Sequence, residues 1–287
     1  MKKNIIFFSL LAAIFFLSAC NKETAPPNNN PIPGTHVIYA IKTDGSLGWY
    51  KHLGYDDGLA LWGNNGQFKQ VGEDWQRASY AFRADSNIIY AIKPTGELGW
   101  FRHNGWETGD RSGWENNGQF KQVGEDWDLI SKAFSGGGQI IYAIKPNGDL
   151  GWFKHLGQAD GLAVWANNGQ FTKVGEGWQD YVEVFSAGNG IIYAIKANGD
   201  LGWFKHLGYA DGTDRWAGNG QFKKVGEAWD LISHAFSGGG QIIYGIKPNG
   251  DLGWYRHLGQ ADGTSSWDNN GQFKKVGENW SIFVNSF

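Results

Sequence analysis

Short apolar runs of five or six residues, separated by Gly, Asn and Asp, recur along this chain at a fixed interval. Ile191-Ile192-Tyr193-Ala194-Ile195-Lys196 is one of them. It is rich in β-branched and aromatic residues, and Asn198-Gly199, the dipeptide of a two-residue hairpin, follows it. The chain is then expected to run back through Leu201 to His206. After a longer loop, Gln221 to Val225 reads as a third strand ended by Gly226, and Leu231 to Phe236 as a fourth before the next Ile-Ile-Tyr. The pattern predicts units of four short antiparallel strands.

The Ile-Tyr pair returns with Tyr39, Tyr90, Tyr142, Tyr193 and Tyr244, spaced 51, 52, 51 and 51 residues apart. Ten residues after each stands the Trp of a Leu-Gly-Trp: Trp49, Trp100, Trp152, Trp203 and Trp254. A second series (Trp62, Trp114, Trp165, Trp216, Trp267) and a third (Trp75, Trp127, Trp178, Trp229, Trp280) keep the same register, leaving only Trp106 outside it. Periods of this size mark propeller blades or solenoid units. A solenoid needs polar caps at two open ends, whereas the first and last units here share the aromatic content of the others, so closure into a ring is expected. The first unit lacks a strand before Val37, and residues 282 to 287 form that strand with nothing after it. The predicted fold is therefore all-β: a five-bladed β-propeller of four-stranded antiparallel blades, with repeats starting near 37, 88, 140, 191 and 242, closed by pairing of the N- and C-terminal strands.

Composition agrees with short strands and tight turns: 44 Gly, 16 Trp, 18 Phe and 11 Tyr in 287 residues. Formal net charge is −3, and no Lys/Arg block interrupts the balance. Nucleic acid and anionic lipid surfaces both ask for a basic stripe, so neither is an expected partner. At the start, Lys2-Lys3 precede an apolar run, Ile5 to Phe16, that is too short to span a bilayer. Leu17-Ser18-Ala19-Cys20 then resembles a bacterial lipobox, which implies a signal peptide over residues 1–19 and lipid attached to Cys20, the single cysteine. Residues 20–35, with four of the seven prolines, read as a semi-rigid tether, and residues 36–287 as the propeller. The expected location is the bacterial cell envelope, on the outer membrane or cell surface rather than the inner membrane, with the membrane touched only through the lipid anchor.

The run from the second Trp through Phe-Lys-Lys-Val-Gly-Glu-x-Trp, an aromatic-rich strand, and then Gly-x-Ile-Ile-Tyr-Ala-Ile, resembles the repeat of the tachylectin family over residues 37 to 287. That resemblance implies a five-bladed propeller lectin binding N-acetylated amino sugars, N-acetylglucosamine or N-acetylgalactosamine, between neighbouring blades. The family repeat carries an Asp two residues before the second Trp. Here only Asp214 fills that place, with Ala60, Ser112, Ala163 and Ser265 in the other units.

Three recurrent positions have the chemistry of a sugar site. An indole of the third series (Trp75, Trp127, Trp178, Trp229, Trp280), which matches the Gly-Trp of the tachylectin repeat, offers a face to a pyranose, or packs between blades. Asn65, Asn117, Asn168, Asn219 and Asn270 offer amide donors and an acceptor, although Asn-Gly is also a turn signal. The loop carboxylates Asp57, Asp160, Asp211 and Asp262 accept hydroxyl hydrogen bonds, or simply form the Asp-Gly turn. The second unit has Thr108-Gly109 instead, with Trp106 and one extra residue.

The recurrent histidines His52, His103, His155, His206 and His257 lie on strands that do not converge, so they are expected to be hydrogen-bonded structural groups rather than metal ligands. A glycosidase needs an acid and a base in different settings. This chain repeats itself, and titratable groups leave the repeat only around Trp106 to Arg111. The expectation is a non-enzymatic, multivalent lectin, a monomeric ring with no cofactor and no metal; the alternatives are a propeller scaffold for a protein partner and a glycan-active enzyme.

Overall fold

The computed structural model describes residues 36–85 and 87–287. The signal peptide, the lipobox, Cys20 and the whole of the tether lie outside the described residues. Among the described residues, twenty short strands form five separate four-stranded antiparallel sheets. The first unit supplies β1 (Val37–Lys42), β2 (Leu47–Lys51) and β3 (Lys69–Gly72). The next blades are β4 (Tyr80–Arg83) to β7 (Lys121–Gly124), β8 (Lys132–Gly137) to β11 (Thr172–Gly175), β12 (Tyr181–Gly188) to β15 (Lys223–Gly226), and β16 (His234–Gly239) to β19 (Lys274–Gly277). The last strand, β20 (Phe283–Ser286), joins the first three in the order β20-β1-β2-β3. Each blade thus begins one strand earlier than the sequence repeat, and the fifth repeat donates its last strand to the first blade. Ser286 pairs with Ala40 and Asn285 with Ile41, and Tyr39 and Phe287 exchange two backbone hydrogen bonds of 2.9 Å.

The second strand of every blade, Ile-Ile-Tyr-Ala-Ile or a close variant, is buried along its whole length. It is flanked by two blades at once, which is why its apolar run does not alternate with polar residues. Each interface between blades holds its own core. Between the first and second blades, Tyr39, Leu47, Trp49 and Trp75 meet Ile89, Ala91 and Phe101. A large aliphatic side chain such as Leu47 or Ile89 stabilises by roughly 1.5–3 kcal/mol on full burial.

The Tyr of that strand reaches a His of the following blade, and this bond repeats five times. Tyr39 Oη lies 2.7 Å from His103 Nδ1, Tyr142 Oη 2.8 Å from His206 Nδ1, and Tyr244 Oη 2.7 Å from His52 Nδ1. The other ring nitrogen, Nε2, donates to a loop carbonyl, that of Leu59 at 2.8 Å in the case of His52. Nδ1 is therefore the acceptor and the ring is neutral. Burial, the largest influence, pushes all five imidazoles below their ordinary value.

At the axis the repetition stops. Tyr80, Lys132, Glu183, His234 and Asn285 occupy one register on the five inner strands, each paired across to the last Ile of its neighbour. Tyr80, Glu183, His234 and Asn285 line a channel of only about 60 Å³. Five copies of one long side chain do not fit such a volume, and five like charges would repel, so the axis is filled by different residues. His234 Nε2 donates to the Ser286 carbonyl at 2.8 Å, and its Nδ1 lies 3.2 Å from the Glu183 carboxylate. Lys132 Nζ reaches the Tyr181 carbonyl at 3.2 Å, and Asn285 donates to the Ala81 carbonyl at 2.7 Å. The expectation that titratable groups leave the repeat only near Trp106 does not hold on this inner strand.

Candidate functional site

The residue before each third-series Trp sits in the left-handed region: Asp74, Asp126, Gly177, Ala228 and Asn279 have φ between 62° and 78°. The chain reverses there, and the Trp amide is pinned to the hairpin of its own blade, Trp178 N to Gly148 O at 3.0 Å and Trp280 N to Gly250 O at 2.9 Å. The indole is thereby swung toward the neighbouring blade. Ring centroids lie 4.8 Å from Phe101 for Trp75, 4.8 Å from Phe204 for Trp178 and 4.8 Å from Tyr50 for Trp280. Only 4–8 % of each of these five residues is exposed. What the ring offers is its edge, and among the described residues none accepts a hydrogen bond from these five Nε1 groups.

A glycine keeps that edge clear. A Cβ on Gly72, Gly124, Gly175, Gly226 or Gly277 would lie 2.6–2.8 Å from the Nε1 of the Trp three residues on. None of these glycines has a positive φ, so it is the indole and not the backbone that excludes a side chain. This Val-Gly-Glu glycine is a site position that sequence reading passed over, although its recurrence before every third-series Trp was visible.

The asparagines enter from the next unit. Asn65, Asn117, Asn168, Asn219 and Asn270 lie in the left-handed region with φ of 52–56°, which presents the amide outward. Trp280 and Asn65 line one cleft of about 680 Å³ between the fifth and first blades, together with Trp62, Phe68, Gly277 and Glu278. Trp229 and Asn270 line its equivalent of about 710 Å³ between the fourth and fifth blades. By the same register Trp75 faces the unit of Asn117, Trp127 that of Asn168 and Trp178 that of Asn219, with indole-to-indole distances of 6.0–6.4 Å to the second-series Trp.

The second-series Trp is a wall of this cleft and a clamp between blades. Trp62 Nε1 donates to Val276 O at 2.6 Å, and its ring stacks on His52 at 4.5 Å. On the far wall, Lys275 bridges Asp251 at 2.6 Å and Glu278 at 3.4 Å, and its hydrogen bond holds Asp251 below the usual carboxylate range. Lys224 and Lys173 repeat the arrangement with Asp200 and Asp149.

The Asp-Gly loop lies elsewhere. Asp57 Oδ1 accepts the Leu59 amide at 3.1 Å, and Asp160, Asp211 and Asp262 cap their own turns in the same way. The adjoining Gly58 closes over Trp254 of the preceding blade. Asp262 lines a separate groove with Trp203 and Lys223. The structure thus brings the Trp and Asn series together and leaves the Asp series outside the clefts.

Each cleft combines an open indole N–H, an outward amide, backbone polar groups at a glycine-rich turn and an aromatic wall. Such a set donates to and accepts from hydroxyls or an acetamide.

No curated protein matches the chain. Among solved structures, AofleA from Arthrobotrys oligospora overlaps it with a TM-score of 0.42 at 12% identity, covering 86% of this chain and 69% of that one. Prp20p from Saccharomyces cerevisiae gives a TM-score of 0.40 at 11% identity, with 85% of this chain covered; the chain spans 62% of the length of that protein. The computationally designed Ika8 protein gives 0.36 at 12%, covering 84% and 60%. Overlaps of this size carry no weight for function. The family model described as Tachylectin, in contrast, matches residues 32–182 and 118–285. With the propeller fold it points to a lectin-like or scaffold role, to carbohydrate as the general class of ligand, and away from catalysis. The chain belongs to the tachylectin family.

Proposed function

We propose that this protein is a multivalent lectin for N-acetylated amino sugars, displayed on the bacterial envelope by a lipid on Cys20. The observation that carries the reading is the fivefold glycine beside the third-series indole, which keeps an unpartnered N–H open in a cleft that also receives an asparagine. A hexosamine ring seated there accepts the indole hydrogen at a hydroxyl or at its acetamide oxygen and places its apolar face against the second-series Trp. Each site is shallow and weak. Several on one rigid ring raise avidity on a dense glycan surface by roughly 10²- to 10⁴-fold. The tether, residues 20–35, holds the ring away from the bilayer.

Calorimetry of residues 36–287 with N-acetylglucosamine or N-acetylgalactosamine tests this. Four or five equivalents per chain are expected. One equivalent of any ligand would favour a protein-docking scaffold, and silence across a broad glycan array would remove the lectin reading.

A further inference from the structure

The five clefts are copies, so each is a control for the others. Several wall positions vary: Lys275 and Asn279 of the fifth-unit cleft are Gln70 and Asp74 in the first unit, and two further positions carry an arginine only in the cleft of Trp75. The position two residues after the third-series Trp is Leu231 and Ile282 in the two clefts described above, and Leu129 in a third. In the cleft of Trp75 it is Arg77. The loop position before the second-series Trp is Ser265 and Ala60 in those same two clefts. The second unit has one more residue between His103 and Trp114 than its copies have, and it carries Arg111 and Ser112 there. Arg111 does not stay on its own blade. Its guanidinium crosses to Glu73 of the first unit at 2.8 Å, and Arg77 lies 3.6 Å from Asp74. The cleft of Trp178 carries carboxylates instead, Asp180 in the place of Arg77 and Asp214 in the place of Ser112, the residue after Arg111.

We propose that the cleft between the first and second blades, formed by Trp75 with Arg77 and Arg111, takes a carboxylate-bearing sugar where its copies take a neutral one. This rests on the reading of the clefts as sugar sites. Glu73 recurs as a Glu in every unit, so the arginine is the departure and the glutamate its resident partner. Both members of that pair are more than half exposed, at 56% and 68%. An ion pair so exposed is worth little, and an incoming carboxylate exchanges for Glu73 at small cost. The planar guanidinium then binds the sugar carboxylate through two N–H groups, a geometry that neither leucine nor lysine supplies. Arg77 adds a second charge from the other wall, and Trp75, 8% exposed with an unpartnered Nε1, forms the floor.

The test uses the full chain in detergent, titrated with N-acetylglucosamine, N-acetylmuramate, N-acetylneuraminate and the methyl esters of the two acids. At least one acid is expected to bind at a single high-affinity equivalent, about tenfold or more tighter than its ester, with an affinity that falls as salt rises. Arg111→Ala and Arg77→Leu should each remove most of that preference while leaving the N-acetylglucosamine equivalents in place, which also shows that the variants fold. Glu73→Gln should tighten the acid several-fold by freeing Arg111. Acid and ester binding alike, or a preference that survives the double arginine variant, would overturn the proposal while N-acetylglucosamine binding upheld the wider reading. Silence toward every sugar would overturn both.

Discussion

The Tyr244 hydroxyl donates to His52 Nδ1 at 2.7 Å across 192 residues of sequence, so the last blade is tied to the first by the bond that ties every other neighbouring pair. The acceptor nitrogen is available only while the imidazole is neutral. A base held below its unfolded value of about 6.5 binds fewer protons in the folded state. The stability that five such rings contribute is fully present above that pH and is lost as pH falls toward their folded values. Thermal melts should show a cooperative drop in melting temperature below pH 6.5; a flat profile from pH 7 to 5 would contradict the assignment. Tyr142→Phe should cost about 1–3 kcal/mol by leaving His206 Nδ1 buried and unpartnered.

The axial His234 behaves oppositely. Both of its partners, the Ser286 carbonyl and the Glu183 carboxylate, are acceptors, so both ring nitrogens donate and the ring is charged. Burial alone would lower it, but the Glu183 carboxylate and then the Ser286 carbonyl carry it above its ordinary value. Lys132, Tyr80 and Asn285 stand at the same level. The contribution of His234 is present below about pH 6.5 and is lost as pH rises through its folded value. The gap in melting temperature between wild type and His234→Ala should therefore shrink from pH 6 to pH 9, and a constant gap would refute the charged ring.

The clasp is a single strand at a sheet edge. Deleting residues 282 to 287 exposes β1, removes Phe287 from the core beside Tyr39, and breaks the His234 and Asn285 contacts to other inner strands. A large loss of melting temperature or aggregation is expected, and an unchanged melt would rule out the clasp.

The glycine beside the indole separates binding from folding better than the indole itself. Trp178→Ala removes a ring packed among Phe204, Tyr181 and Trp216 and should destabilise by about 3–5 kcal/mol, which confounds any binding result. Gly175→Ala places a methyl against Trp178 Nε1 at a cost nearer 1–3 kcal/mol. It should lower the calorimetric stoichiometry for N-acetylglucosamine by one and leave the other sites unchanged. Full stoichiometry in this variant would remove the indole N–H from the site.

Lipid attachment is tested separately. Cys20→Ala should abolish labelling by radioactive palmitate and move the protein out of the membrane fraction, and equal labelling of wild type and variant would exclude the anchor.

Periodicity carried most of the architecture. Tyr39, Tyr90, Tyr142, Tyr193 and Tyr244 mark where each second strand begins to build a blade, and residues 282 to 287 declare the missing first strand, because strand propensity and turn chemistry are local and repeat with the sequence. The Trp and Asn series were legible as candidates for the same reason. Their pairing was not. Trp280 meets Asn65 only because the ring closes, and Asp57 parts from both because its loop folds over Trp254, at a different place on the same fifth blade. Distances between blades depend on how sheets pack, and no short-range signal encodes them. The axis was least legible of all. Tyr80, Lys132, Glu183, His234 and Asn285 look like unrelated surface residues along the chain, and only the shared axis brings them to one level of the ring, where four of them line one small channel and identical side chains would clash.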